Sequence, residues 1–105
     1  MASLPAHDFV EAVLDVVADI PEGRVMTYGD VAAAIGSRAA RGVGQVMAWY
    51  GDQVPWWRVI RASGHPAAGL EERALAHFRA EGTPLLWSRD GQTFRVALAS
   101  ARWVG

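Results

Sequence analysis

Apolar residues recur at three- and four-residue spacing through the first half of the chain. Phe9, Val13, Val16, Val17 and Ile20 predict a helix over residues 8–20 with one apolar face. Asp8, with Glu11 three residues on, reads as its capping pair, and Pro21 and Gly23 end it. Arg24 to Met26 predicts a short extended piece. Thr27 then offers a second cap with Asp30 three residues later. Val31, Ala32 and Ile35 form the inner face of a short helix that Gly36 stops. Ser37 caps a third helix, running to about Tyr50 on a stripe of Ala39, Val43, Val46, Met47 and Tyr50. Gly51 to Pro55 is a loop, and Trp56 to Ile60 is aromatic and β-branched, which predicts an extended segment. Ser63, Gly64 and Pro66 form a turn. A fourth helix follows over Gly69 to Glu81, with Leu70, Ala74, Leu75 and Phe78 inward and Gly82 at its end. Leu85-Leu86-Trp87 and Thr93-Phe94-Arg95-Val96 flank an Asp90-Gly91 pair, a hairpin signal. The expectation is a mainly α fold with a small β component. The second and third helices make a helix-turn-helix, a pattern that many helical bundles share.

Composition narrows the chemistry. The 105 residues, 51% of them hydrophobic, suit one domain over 1–105 with a core that needs no staples. There is no cysteine, which excludes a disulfide framework, a thiolate metal site and a thiolate nucleophile. His7, His65 and His77 never fall at ligand spacing, so neither metal nor cofactor is expected. No basic flank precedes an apolar run at the N-terminus, and no apolar stretch approaches the roughly 18 residues of a membrane span. The expectation is a soluble cytosolic protein without a membrane partner.

The net charge of −1 argues against a general nucleic-acid binder. Its distribution is uneven. Residues 1–23 carry Asp8, Glu11, Asp15, Asp19 and Glu22 and no cation, whereas residues 24–61 carry five arginines against Asp30 and Asp52. All ten cations are Arg, the better residue for planar or bidentate contacts to phosphates and bases, although a compositional bias of the source genome gives the same count.

The third helix has Arg38, Arg41, Gly42, Gly44, Gln45 and Ala48 opposite its apolar stripe. A glycine inside a helix costs about 1 kcal/mol relative to alanine. Two within three positions therefore mean either close packing against another helix or a bare surface for a nucleic-acid backbone. A minor groove about 6 Å wide admits a helix only if its side chains are small, and one long cation, Arg41, is then free to enter the base stack. In Pro55-Trp56-Trp57-Arg58-Val59-Ile60, adjacent tryptophans on an extended segment point to opposite sides. Either both are simply buried, or one lines a pocket for a planar guest.

Taken in order, these pieces resemble the DNA-binding domain of O6-alkylguanine-DNA alkyltransferases from about Asp8 to Phe94. The matching stretches are Pro21-Glu22-Gly23-Arg24-Val25-Met26-Thr27-Tyr28-Gly29, Ala39-Ala40-Arg41-Gly42-Val43-Gly44, Pro55-Trp56-Trp57-Arg58-Val59-Ile60 and Glu81-Gly82. In the enzymes the third stretch reads Pro-Cys-His-Arg-Val. There the cysteine accepts the alkyl group, the histidine activates it, and a glutamate orients the histidine. Here Trp56 and Trp57 stand at the cysteine and histidine positions and only Glu81 remains. Tryptophan at the cysteine position marks the alkyltransferase-like proteins, which this chain resembles most.

The resemblance implies a winged helix-turn-helix that binds double-stranded DNA through the minor groove. It implies that an O6-alkylguanine is flipped into a pocket, held unchanged and flagged to nucleotide excision repair proteins, by a monomer without enzymatic activity. By position, Thr27, Tyr28, Ala39, Ala40, Arg41 and Gly44 fall on the DNA, with Tyr28 turning the target phosphate and Arg41 filling the vacated stack. Tyr28, Trp56 and Arg61 fall on the lesion pocket. Two departures stand out. Trp57 removes even the activating histidine, and the segment from Ile60 to Gly69 lacks the arginine that a longer loop supplies in some relatives, leaving Arg61 as the nearest cation. The alternative is a winged-helix transcription factor without lesion specificity. It needs a dimer interface to read paired half-sites, and no heptad or long apolar helix offers one.

Overall fold

A computed structural model of the chain describes residues 7–104. Helix α1 spans His7–Ala18 and buries Val10, Val13 and Val17. Asp8 lies within its first turn rather than ahead of it, and Glu11 meets His7 Nε2 at 3.1 Å, so the expected capping pair is not one. Asp8 instead adds a negative charge to the first turn, the end that the helix dipole favours for an anion. Strand β1, Met26–Thr27, leads directly into α2, Tyr28–Ala34. The capping box forms as predicted: Thr27 Oγ1 accepts from the Asp30 N–H at 3.0 Å, and Asp30 Oδ2 accepts from the Thr27 N–H at 3.1 Å. Helix α3 spans Ala40–Tyr50, starting later than Ser37. The Ser37 hydroxyl accepts from the Ala39 N–H at 3.0 Å and closes a local turn before the helix.

The extended reading of Trp56 to Ile60 is half right. Trp56–Arg58 is one turn of 3₁₀ helix, and strand β2 is only Val59–Ile60. Pro55 holds φ at −70°, and the Arg58 N–H reaches the Pro55 carbonyl at 3.0 Å, which closes the turn. Strand alternation is lost with it, and the two indoles meet edge to face, centroids 5.7 Å apart, rather than on opposite sides.

Helix α4, Glu71–Glu81, starts after Gly69, whose φ of +84° no helix accommodates, and stops at Gly82 in the left-handed region. Strands β3, Leu85–Trp87, and β4, Phe94–Val96, pair antiparallel around the predicted Asp90-Gly91 turn. This hairpin is the wing. The periodicity had no signal for α5, Leu98–Ala101, a single turn that brings Arg102 beside Val25 in a parallel bridge.

Strands β1 and β2 pair in parallel, Met26 with Val59 and Thr27 with Ile60. This two-stranded seam divides two cores. Met26 and Val59 face the first, made with α1, α2 and α3, while Val25 and Ile60 face the second, with Ala74, Phe78, Val96 and Ala101. Side-chain alternation across the strands makes that division. The fold is mainly α, a winged helix-turn-helix with a small β component. Among the described residues no helix is long and apolar enough to cross a membrane.

Candidate functional site

Parallel pairing of β1 with β2 sets the first residue of α2 beside the Trp56–Arg58 turn. A cavity of about 390 Å³ opens there. Tyr28 lines it from the start of α2, Gly44, Met47 and Ala48 from α3, Asp52 and Trp56 from the connection, and Leu70 and Arg73 from the start of α4. Burial pushes the Tyr28 phenol up from its ordinary value, with the Arg61 charge opposing, so at neutral pH it is a neutral donor.

Helix α3 separates its two glycines. A Cβ on Gly42 would lie 3.3 Å from the Phe9 ring, so this glycine serves the packing of α3 on α1. A Cβ on Gly44 would meet nothing within 4 Å. Of the two readings open for the pair, close packing holds at Gly42 and a bare surface at Gly44. Ala39 and Arg41 are exposed on the same helix end, Ala40 is half-buried, and Arg41 makes no hydrogen bond or ion pair among the described residues.

Glu81 is fully engaged. Its Oε1 accepts from the Gly23 N–H at 3.0 Å and Arg58 Nε at 3.1 Å, and its Oε2 from Trp57 Nε1 at 2.8 Å and Arg58 Nη2 at 2.6 Å. Burial by itself raises the Glu81 pKa, but the bonds from Arg58, Gly23 and Trp57 together outweigh it and hold the carboxyl below its ordinary range. Arg58 Nη1 also donates to the Ile20 carbonyl at 2.8 Å. Trp57 stacks flat on His77, centroids 3.6 Å apart and planes within 5°. The tryptophan pair therefore divides its work: Trp56 lines the cavity, and Trp57 is tied to a buried carboxylate.

Not every predicted site residue reaches the cavity. The Thr27 side chain is buried and committed to the α2 cap, so it acts by positioning Tyr28. Arg61 is absent from the lining: its Nε donates to the Pro66 carbonyl at 2.9 Å and its Nη2 lies 3.7 Å from Glu71. The cation at the cavity is Arg73, with Cζ 5.4 Å from the Trp56 ring centroid. Sequence reading passed over it, although an arginine in the first turn of a helix, where the dipole disfavours cations, was a signal.

Residues 8–83 match the family model described as 6-O-methylguanine DNA methyltransferase, DNA binding domain. Over 103 residues, 91% of this chain and 94% of the relative, the sequence is 32% identical to Alkyltransferase-like protein 1 of Schizosaccharomyces pombe. The chain belongs to the alkyltransferase-like proteins. It is also 51% identical over 59 residues to the DNA base-flipping protein of Escherichia coli K12, a stretch that spans 46% of that protein's length. The crystal structure of S. pombe Atl1 in complex with damaged DNA containing O6-carboxymethylguanine aligns with a TM-score of 0.80 at 31% identity, covering 93% of this chain and 96% of that one. The sequence has no cysteine, and its Glu81 holds an indole and a guanidinium.

Proposed function

We propose that this alkyltransferase-like chain is a non-enzymatic sensor of O6-alkylguanine in duplex DNA. The observation that carries the reading is the cavity between Tyr28 and Trp56, opening beside the bare Gly44 on α3. Its volume falls within the roughly 300–1,000 Å³ of small-molecule sites. In this reading α3 lies in the minor groove on Ala39, Ala40 and Gly44, and Arg41 enters the stack in place of the extruded base. Tyr28 displaces the target phosphate, and the base stacks against Trp56. The damaged strand is then presented to nucleotide excision repair by a cytosolic monomer built as one domain. The sequence supplies no thiolate as alkyl acceptor, and the Glu81 oxygens are taken by Gly23, Trp57 and Arg58.

Two measurements test this. A titration of O6-methylguanine against guanine duplexes at fixed salt should show tighter binding of the lesion. Equal affinity would instead favour a sequence-reading winged-helix factor. Intact-mass analysis after prolonged incubation should leave both protein and lesion unchanged, and a gain of one methyl on the protein would overturn the non-enzymatic reading.

A further inference from the structure

We propose that Arg73 makes the cavity selective for guanines whose O6 substituent carries a negative charge. The proposal rests on the lesion-sensing reading and extends it from the base to the substituent. Arg73 and Trp56 line the same cavity, and the guanidinium carbon lies 5.4 Å from the indole centroid. Arg58, Arg61 and Arg102 are each matched to a carboxylate, Glu81, Glu71 and Asp30 respectively, whereas Arg73 has no ion-pair partner among the described residues. Nor does it donate a side-chain hydrogen bond there. It sits in the first turn of α4 beside Glu71 and Glu72, the end of a helix whose dipole disfavours a cation. Within the fold its charge is held over the Trp56 indole and not against a carboxylate, so its planar fork of donors is left to match a carboxylate.

A base stacked at Trp56 carries its O6 substituent into the space that Arg73 lines. A methyl group offers this fork nothing, whereas a carboxymethyl group offers two acceptor oxygens. Asp52, the other charged residue on the cavity, opposes an anion, but it also borders the neighbouring groove of Trp57 and His77 and so stands on the ridge between the two.

The test compares duplexes bearing guanine, O6-methylguanine or O6-carboxymethylguanine at one salt concentration. The intact chain should bind the carboxymethyl lesion roughly 3- to 10-fold tighter than the methyl lesion, the range of a partly exposed charge-assisted contact. Arg73→Gln should abolish that difference while still preferring O6-methylguanine to guanine. Arg79→Gln, the same charge change at the other end of α4, should keep the difference, and Asp52→Asn should widen it. A wild-type chain that binds both lesions equally, or an Arg73→Gln chain that keeps the difference, overturns the role of Arg73 alone. A chain that fails to prefer either lesion over guanine overturns the sensing reading as well.

Discussion

Trp56 and Trp57 are adjacent in the chain and differ in what holds them. Trp57 donates to a carboxylate whose partners are almost wholly buried, with Arg58 and Glu81 side chains 12% and 9% exposed. Trp57 is half-buried, and Trp57→Ala removes that donor and the stack on His77, so it should cost about 3 kcal/mol, the lower end for truncating a tryptophan. A melt should show a fall of more than about 10 °C. Trp56→Ala should leave the melt nearer wild type and reduce the preference for alkylated over plain guanine by one stacking contact, about 1–3 kcal/mol. The reverse pattern would exchange the two roles. Glu81 adds a pH dependence. Its folded pKa is held below its unfolded value, so its stabilisation is complete above roughly pH 4.3 and is lost as pH falls through the folded pKa. Glu81→Gln should destabilise the chain by about 3 kcal/mol at neutral pH, because it leaves Arg58 buried without its counter-charge. The variant's stability should then vary less between pH 5 and pH 2 than that of the wild type in acid titrations followed by circular dichroism.

Helix α3 carries two glycines that should respond oppositely to alanine. At Gly44 the new methyl enters open space, so Gly44→Ala should raise stability by about 0.5–1 kcal/mol in denaturant melts. At Gly42 the methyl presses on Phe9, and the gain in propensity should be cancelled by overpacking. Gly44→Leu should keep the fold and weaken DNA binding, since a branched side chain then fills the face that the groove requires. Arg41→Ala should leave the melting temperature unchanged, because the side chain is exposed and unpaired among the described residues. Its affinity for lesion DNA should fall severalfold, reflecting lost compensation for an unstacking cost of a few kcal/mol. Wild-type affinity in a folded Arg41→Ala chain would contradict the intercalating role.

Across the molecule, charge is arranged to limit non-specific attraction. Helix α1 holds Asp8, Glu11 and Asp15, and the net charge is −1. Several arginines are neutralised within the fold. Arg102 Nε donates to Asp30 Oδ2 at 2.9 Å, a bond that holds the Asp30 carboxyl below its usual range and fastens the C-terminal segment to the start of α2. On the helix-turn-helix itself, α2 to α3, the only cations are Arg38 and Arg41, so the plot of log affinity against log salt should have a slope of about −3 or shallower, each phosphate contact contributing roughly −0.9. A slope near −6 would mean a broad basic interface that this charge distribution does not supply.

The helices, their stops and the wing were legible because each depends on residues close in sequence. The Thr27–Asp30 box, the left-handed Gly36 and Gly82, and the Asp90-Gly91 turn are local geometries that their side chains, or the lack of one, impose. The site was legible mainly where motifs carried it: Tyr28, Gly44 and Trp56 do converge on one cavity. Spacing could not show that Trp56–Arg58 coils into a 3₁₀ turn, because aromatic and β-branched residues suit a strand until Pro55 and the packing on α4 constrain them. Nor could it separate Gly42 from Gly44, which differ only in whether Phe9 from another helix stands above them. Arg61 was chosen as the pocket cation by nearness in sequence, whereas Arg73 occupies the place because the first turn of α4 packs beside Trp56. Local backbone preference acts within a few residues, so it is written in order along the chain. Which side chains share a cavity depends on the parallel seam of β1 and β2 and the docking of α4, contacts between residues more than 20 positions apart that no local pattern encodes.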